Sequence, residues 1–211
     1  TVSVEVPEPA DPFDAVVKTP RELLLFDSQA TPFRRIKVRG QVVYADNTQL
    51  FLEENGAGLR VLPAEPNGAI SVGDQVEAVG YPDISRTALL LRDASVRRTG
   101  SAPLTAPQEL AAVDQAQSQL DSTRVRVRGQ LLGWHVEQGN MVLEMQSGKN
   151  LYLARISPRP AEPVSLRPGS RLELTGVYVS RGRSLNAEAE SFELLLSSPT
   201  DVRVLSQPSW W

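Results

Sequence analysis

Residue types able to do chemistry are few in this chain. His135 is the sole histidine and cysteine is absent, which removes thiolate nucleophiles, disulfides and Cys- or His-rich zinc sites. A Ser-His-Asp set needs only one histidine, but no G-x-S-x-G elbow occurs. His135 lies in LGWHVEQGN, at a strand end entering a hairpin, and reads as a solvated loop residue. Neither G-x-x-x-x-G-K-[ST] nor G-x-G-x-x-G after a strand is found, so nucleotide phosphate cradles have no support. Glu53 and Glu54 are adjacent in a strand pattern and project to opposite faces, which keeps them from sharing a proton or a metal. Glu188, Glu190 and Glu193 near Asn186 could form an acidic rim, but the favoured reading is a solvated strand face. No catalytic residue, metal ligand or cofactor is expected.

Basic residues are better organised. Arg35, Lys37 and Arg39, and again Arg124, Arg126 and Arg128, line one strand face each. Proteins that bind single-stranded nucleic acid combine such a groove with aromatic platforms for the bases. Here the outward parity carries no aromatic until Trp134, aromatics are 6% of the chain and the net charge is −3. The reading is an outer face kept soluble and protected at its edge, with nucleic acid outside the expected partners. A single-stranded nucleic-acid-binding protein is the alternative.

The elements that carry these residues repeat. IKVRGQVV at 36–43 returns as VRVRGQLL at 125–132, and ISVGDQVEAVGYP returns as LRPGSRLELTGVY. In the first phrase Ile36, Val38, Val42 and Tyr44 share one parity and Arg35, Lys37, Arg39 and Gln41 the other, the alternation of a strand with one buried face. Gly40 and Gly129 fall inside these strands, where a glycine marks a bend at which one strand serves two sheets.

QLFLEENGAGLRVLP reads as a hairpin turning at Asn55-Gly56, NMVLEMQSGKNLYLARI as another turning at Ser147-Gly148. Each unit opens on a Pro-and-Glu helix start: Thr19, Pro20 and Glu22 for a helix over about residues 20–29, with Pro107 and Glu109 placed alike. The expectation is a mainly β chain of two tandem five-stranded OB-like antiparallel barrels, each preceded by a short helix, with a small SH3-like barrel as the alternative. Residues 1–18 form an extended lead-in with an edge strand at Val2 to Val6; 19–101 and 102–211 are the two domains. The 211 residues, 41% hydrophobic and 22% charged, suit two small folded cores.

OB geometry points to the loops between the first and second strands and between the fourth and fifth as ligand-binding positions. In the first unit these hold Tyr44, Asp46, Asn47, Tyr81, Asp83 and Arg86; in the second Trp134, His135, Arg181 and Arg183. Arg181 and Arg183 could clamp an anion, with Trp134 as a platform.

The layout of a T-P-x-E-L helix, VRGQVV, an acidic hairpin, a P-G-S-like turn before an L-E-x-x-G strand, the whole unit again and a close on DVRVL and SQPSWW resembles a known family over about residues 19–211. It is similar to the N-terminal extracytoplasmic segment of bacterial membrane-bound hybrid sensor histidine kinases and diguanylate cyclases, which carry tandem OB-like sensory domains before a transmembrane helix. The resemblance implies a non-catalytic sensory or interaction module at the periplasmic face of the inner membrane. It also implies an unknown small ligand or protein partner, homodimerisation of the full-length protein, and Trp210 and Trp211 leading toward a membrane helix after Trp211. Signal would pass by ligand- or partner-dependent rearrangement of the two barrels.

Overall fold

The computed structural model describes residues 11–25, 34–66, 68–84, 89–110, 118–157, 166–181 and 192–208. In the first half β1 (Ile36–Ala45), β2 (Leu50–Glu54), β3 (Ala57–Pro63), β4 (Asp74–Ile84) and β5 (Leu89–Ser101) close a barrel in the order β1-β2-β3-β5-β4. All neighbours are antiparallel except β3 and β5, which run parallel. That order is the OB arrangement expected from the sequence. Alternation puts Val38, Val42, Leu50, Leu52, Leu59, Val61, Val76 and Leu91 into one apolar core. Asn55 and Gly56, at φ of 52° and 74°, make the two-residue turn between β2 and β3.

The bend in β1 is where expected. Residues Ile36 to Gln41 pair with β4, and Gln41 to Ala45 pair with β2, so the strand changes partners at the Gly40-Gln41 step. A Cβ on Gly40 would stand 3.2 Å from both the Glu53 carbonyl oxygen and Leu52 Cβ.

The second half repeats the plan with β6 (Gln108–Leu110), β7 (Arg124–Glu137), β8 (Asn140–Ser147), β9 (Asn150–Ile156), β10 (Arg171–Ser180), β11 (Phe192–Leu196) and β12 (Val202–Ser206). Strands β7-β8-β9-β11-β10 close on themselves through β10 and β7, with β9 and β11 parallel. Strand β7 passes from β10 to β8 at Gln130, next to Gly129. The fifth strand is continuous in the first barrel and interrupted in the second. A 3-10 turn at Pro199–Asp201, capped reciprocally by Ser198 and Asp201, separates β11 from β12, and β12 then pairs with the start of β10.

The two leading segments differ. Thr19 and Glu22 cap each other: the Thr19 N–H donates to Glu22 Oε2 at 2.8 Å and the Glu22 N–H to Thr19 Oγ1 at 3.1 Å, starting α1 (Pro20–Leu25). The predicted remainder of that helix lies outside the described residues, as does the edge strand at Val2 to Val6. Before the second barrel, by contrast, Gln108–Leu110 is extended and pairs parallel with β7. The residue three before Glu109 is Ala106, which has no side chain to cap a helix. The extended backbone seats Leu110 in the second core. Part of the lead-in is ordered against the first barrel: Val17 bridges to Lys37, and Lys37 Nζ donates to the Phe13 carbonyl at 2.6 Å.

A third apolar cluster belongs to neither interior. Val43, Tyr44 and Phe51 of the first barrel pack with Val177 and Leu195 of the second, and the barrels therefore meet along a dry seam. Gly58 of β3 sets how close they come: a Cβ there would stand 2.2 Å from the Ser122 carbonyl oxygen. Beside it the Arg124 N–H of the second barrel donates to Glu53 Oε2 of the first at 2.8 Å.

Candidate functional site in the cleft between the barrels

Above the seam the barrels part into a cleft of about 580 Å³. Each wall is an outward-facing strand surface. On the first barrel Arg60 of β3 sits across from Phe51 of β2, its guanidinium 5.9 Å from the ring centroid. Arg60 Nε is buried and makes no hydrogen bond. The turn after β1 supplies Asp46, which accepts from the Thr48 N–H at 2.8 Å, Thr48 Oγ1 at 2.7 Å, the Gln49 N–H at 3.0 Å and Gln49 Nε2 at 2.9 Å. Burial opposes its ionisation, but these donors outweigh burial and hold its carboxyl below the usual range. Tyr44, at the cleft edge of the seam, has its phenol pushed up to about 12 by burial and by the Asp46 charge.

On the second barrel a buried carboxylate organises the wall. Glu193 of β11 is 2% exposed; its Oε1 takes Arg155 Nε at 2.8 Å and its Oε2 takes Arg181. Arg155 also reaches Glu137 Oε2 with Nη2 at 2.9 Å. Burial, then the charges of Arg155 and Arg60, hold the Arg181 guanidinium below its ordinary value. Three guanidinium groups are thus crowded around one space, two of them tied to carboxylates.

Of the positions expected to bind ligand, Tyr44, Asp46 and Arg181 line this cleft together. Asn47 is on the exposed outer side of the same turn. Tyr81 and Asp83 lie away from it on β4, Tyr81 under Arg35 at 5.3 Å and Asp83 paired with Arg92 at 3.1 Å. Trp134 and His135 stand on the β7–β8 hairpin outside the cleft: Trp134 is 42% exposed, and His135 Nδ1 is 3.3 Å from Glu144 Oε1. Trp134 is therefore no platform beside Arg181 in this arrangement. Arg86 and Arg183 lie outside the described residues, as do Asn186, Glu188 and Glu190.

Arg60, Arg155, Gln49 and Phe51 were not anticipated, and Glu193 was read as part of a solvated strand face whereas it is buried between two arginines. A signal for the two arginines existed. Arg60 in GLRVL and Arg155 in LYLARI are single charges on the outward parity of otherwise apolar strands.

Of the six stripe residues, Arg39, Arg126 and Arg128 are paired with carboxylates on the neighbouring strand, while Lys37 donates to the Phe13 carbonyl oxygen, Arg124 donates to that of Thr105, and Arg35 lies over the Tyr81 ring. Glu77 takes Arg39 at 2.9 Å and Arg97 at 2.7 Å; Glu173 takes Arg128 at 2.8 Å and Arg203 at 3.7 Å. Arg126 pairs with Glu109 at 2.8 Å. Among the described residues no cluster of three His, Asp or Glu side chains could hold a metal ion, and no helix is long and apolar enough to cross a membrane.

No family model matches the chain, and no curated protein does. Solved structures do match at low identity. An aspartyl-tRNA synthetase from Entamoeba histolytica is 14% identical with a TM-score of 0.33, over 53% of this chain and 29% of that one, so the chain spans under a third of the synthetase. A murine DNA-binding protein bound to double-stranded DNA is 11% identical with a TM-score of 0.39, over 82% and 98%. The p202 HIN1 domain in complex with a 12-mer double-stranded DNA is 11% identical with a TM-score of 0.35, over 89% and 98%. At such scores the likenesses carry no argument about what this chain does. Two of the three are DNA complexes, which runs against the expectation that nucleic acid stands outside the partners, and that expectation is not carried forward.

Proposed function

We propose that this chain is a binding module without chemistry of its own, the extracytoplasmic sensory or interaction segment of a membrane-bound signalling protein, and that its ligand occupies the cleft between the barrels. The observation that carries the reading is the shared lining. Tyr44, Asp46 and Arg60 from one barrel and Glu137, Arg155 and Arg181 from the other border one space whose volume falls in the range of small-molecule sites, about 300–1,000 Å³. The context in signalling rests on the resemblance drawn from the sequence.

A ligand touching both walls prefers one angle between the barrels and shifts the population toward it. Because Phe51, Leu195 and Val177 close the seam beneath, the motion this permits is a rocking about an apolar hinge rather than a separation. The test is a cleft-narrowing substitution. Val179 lines the space, and Val179→Trp narrows it by intruding a bulky ring. A small molecule that raises the melting temperature of the native chain and not of Val179→Trp supports the reading; one that raises both equally sinks it.

Nucleic-acid binding is the second reading, favoured by Arg60, Arg155 and Arg181 gathering on one side of paired OB-like barrels. It requires fluorescence anisotropy with labelled single- and double-stranded oligonucleotides to show binding that weakens with salt. Each phosphate contact contributes a slope of about −0.7 for single strands and about −0.9 for duplex in log K against log salt. A flat salt dependence rules it out.

A further inference from the structure

Arg60 stands apart from the other two arginines of the cleft. Arg155 spends its guanidinium on Glu193 and Glu137, and Arg181 spends its own on Glu193. Arg60 rests on the Phe51 ring with Nε buried and unpaired. A buried donor without an acceptor is costly to the fold, and a guanidinium is matched in shape by planar or tetrahedral oxyanions.

The acids around Arg60 are already engaged. Asp46 is held by Thr48 and Gln49. Asp121, which feels the Arg60 charge, accepts from Ser122 Oγ at 2.8 Å and from the Ser180 N–H at 2.7 Å. An acceptor lining the same cleft is also unanswered: Gln49 Oε1 is buried and unpaired, while the Nε2 of the same amide is committed to Asp46. The cleft lining thus presents Arg60 Nε, Gln49 Oε1 and the Ser180 hydroxyl as buried polar atoms without a hydrogen bond, Arg60 being the cationic donor among them.

We infer that the ligand of this cleft, on the reading that the cleft is the binding site, is a small oxyanion, a carboxylate or a phosphate, held by Arg60 and bearing a hydroxyl or amino donor for Gln49. Its size is bounded by the cleft, which has the volume of a metabolite site.

The experiment is a thermal titration of the full chain at fixed ionic strength with citrate, L-glutamate, inorganic phosphate and glucose, on the native protein, Arg60→Met, Arg60→Lys and Val179→Trp. The expected result is a rise in melting temperature with a carboxylate or with phosphate, the responding arm telling the two apart. Affinity falls about 10- to 100-fold in Arg60→Met, the loss of one charged hydrogen-bonding partner, and less in Arg60→Lys. Without any probe Arg60→Met melts no lower than the native chain, since it removes an unpaired buried donor. Anions that shift native protein and Arg60→Met alike, anions that shift neither, or an Arg60→Met that melts well below native without probe each overturn the inference. A response to glucose alone, lost in Val179→Trp, overturns it and leaves the cleft standing as a binding site. A response that persists in Val179→Trp overturns both. An oligonucleotide bound through Arg60, with no small anion bound, gives the site to nucleic acid and also overturns it.

Discussion

Each barrel sets one carboxylate between two arginines at matching places: Glu77 between Arg39 and Arg97, and Glu173 between Arg128 and Arg203. Arg97 and Arg39 hold the Glu77 carboxyl below its ordinary value, and Arg128 does the same for Glu173. A folded-state value below the unfolded 4.5 contributes stability that is present above pH 4.5 and lost as pH falls through the depressed value. Glu173→Gln is therefore expected to lower the urea midpoint modestly at pH 7, with the gap from native closing as the pH is taken below 4.5; a gap that widens in acid contradicts this. Glu193 is a harsher case, because it is buried. Arg155→Leu strips it of one of two partners and is expected to cost about 3 kcal/mol, the penalty of a buried charge left short, measured by urea denaturation at pH 7. The arginine stripes were legible in the sequence as alternation. Their carboxylate partners were not, because Glu77 and Glu173 meet them through the register of a strand some forty positions away.

At the scale of elements, the repeated strands could be read because a period of two survives any tertiary context that buries one face. IKVRGQVV and VRVRGQLL became β1 and β7, and both change partners beside the glycine that marked the bend. In β7 the reason is contact: a Cβ on Gly129 would stand 2.7 Å from the Tyr152 hydroxyl and 2.9 Å from the Gln146 carbonyl oxygen. Gly129→Ala is expected to cost about 1–3 kcal/mol, the usual penalty of overpacking, read as a lower melting temperature. A neutral effect would mean that the strand bends for another reason. The helix start read at Pro107 and Glu109 is not one, because the capping residue is missing; Gln108–Leu110 run extended beside β7 and seat Leu110, and residues 111–117 of that segment lie outside the described residues. The break between β11 and β12 was also invisible, since SSPTD carries a capping box that belongs to a single 3-10 turn rather than a helix.

For the whole molecule the question is whether two barrels behave as one. Runs that are apolar on both parities, VVY in β1, LFL in β2, VYV in β10 and LLL in β11, announce strands covered on two sides. The sequence therefore held the seam, though not which faces would meet, because that depends on how one barrel is set against the other. Phe51 and Leu195 close it, Gly58 lets the backbones approach, and Glu53 accepts the Arg124 N–H across it. A contact this dry couples the two cores, so the native chain is expected to unfold in one calorimetric transition. Leu195→Asp places a charge in the seam without touching either interior and is expected to split the transition into two. The radius of gyration from small-angle X-ray scattering should rise with it, and the ligand-induced shift in melting temperature should vanish, because the cleft exists only while the barrels are joined. If Leu195→Asp still melts in one step at the native radius, the barrels are held by something other than this seam, and a rocking hinge beneath the cleft is the wrong picture of how they move.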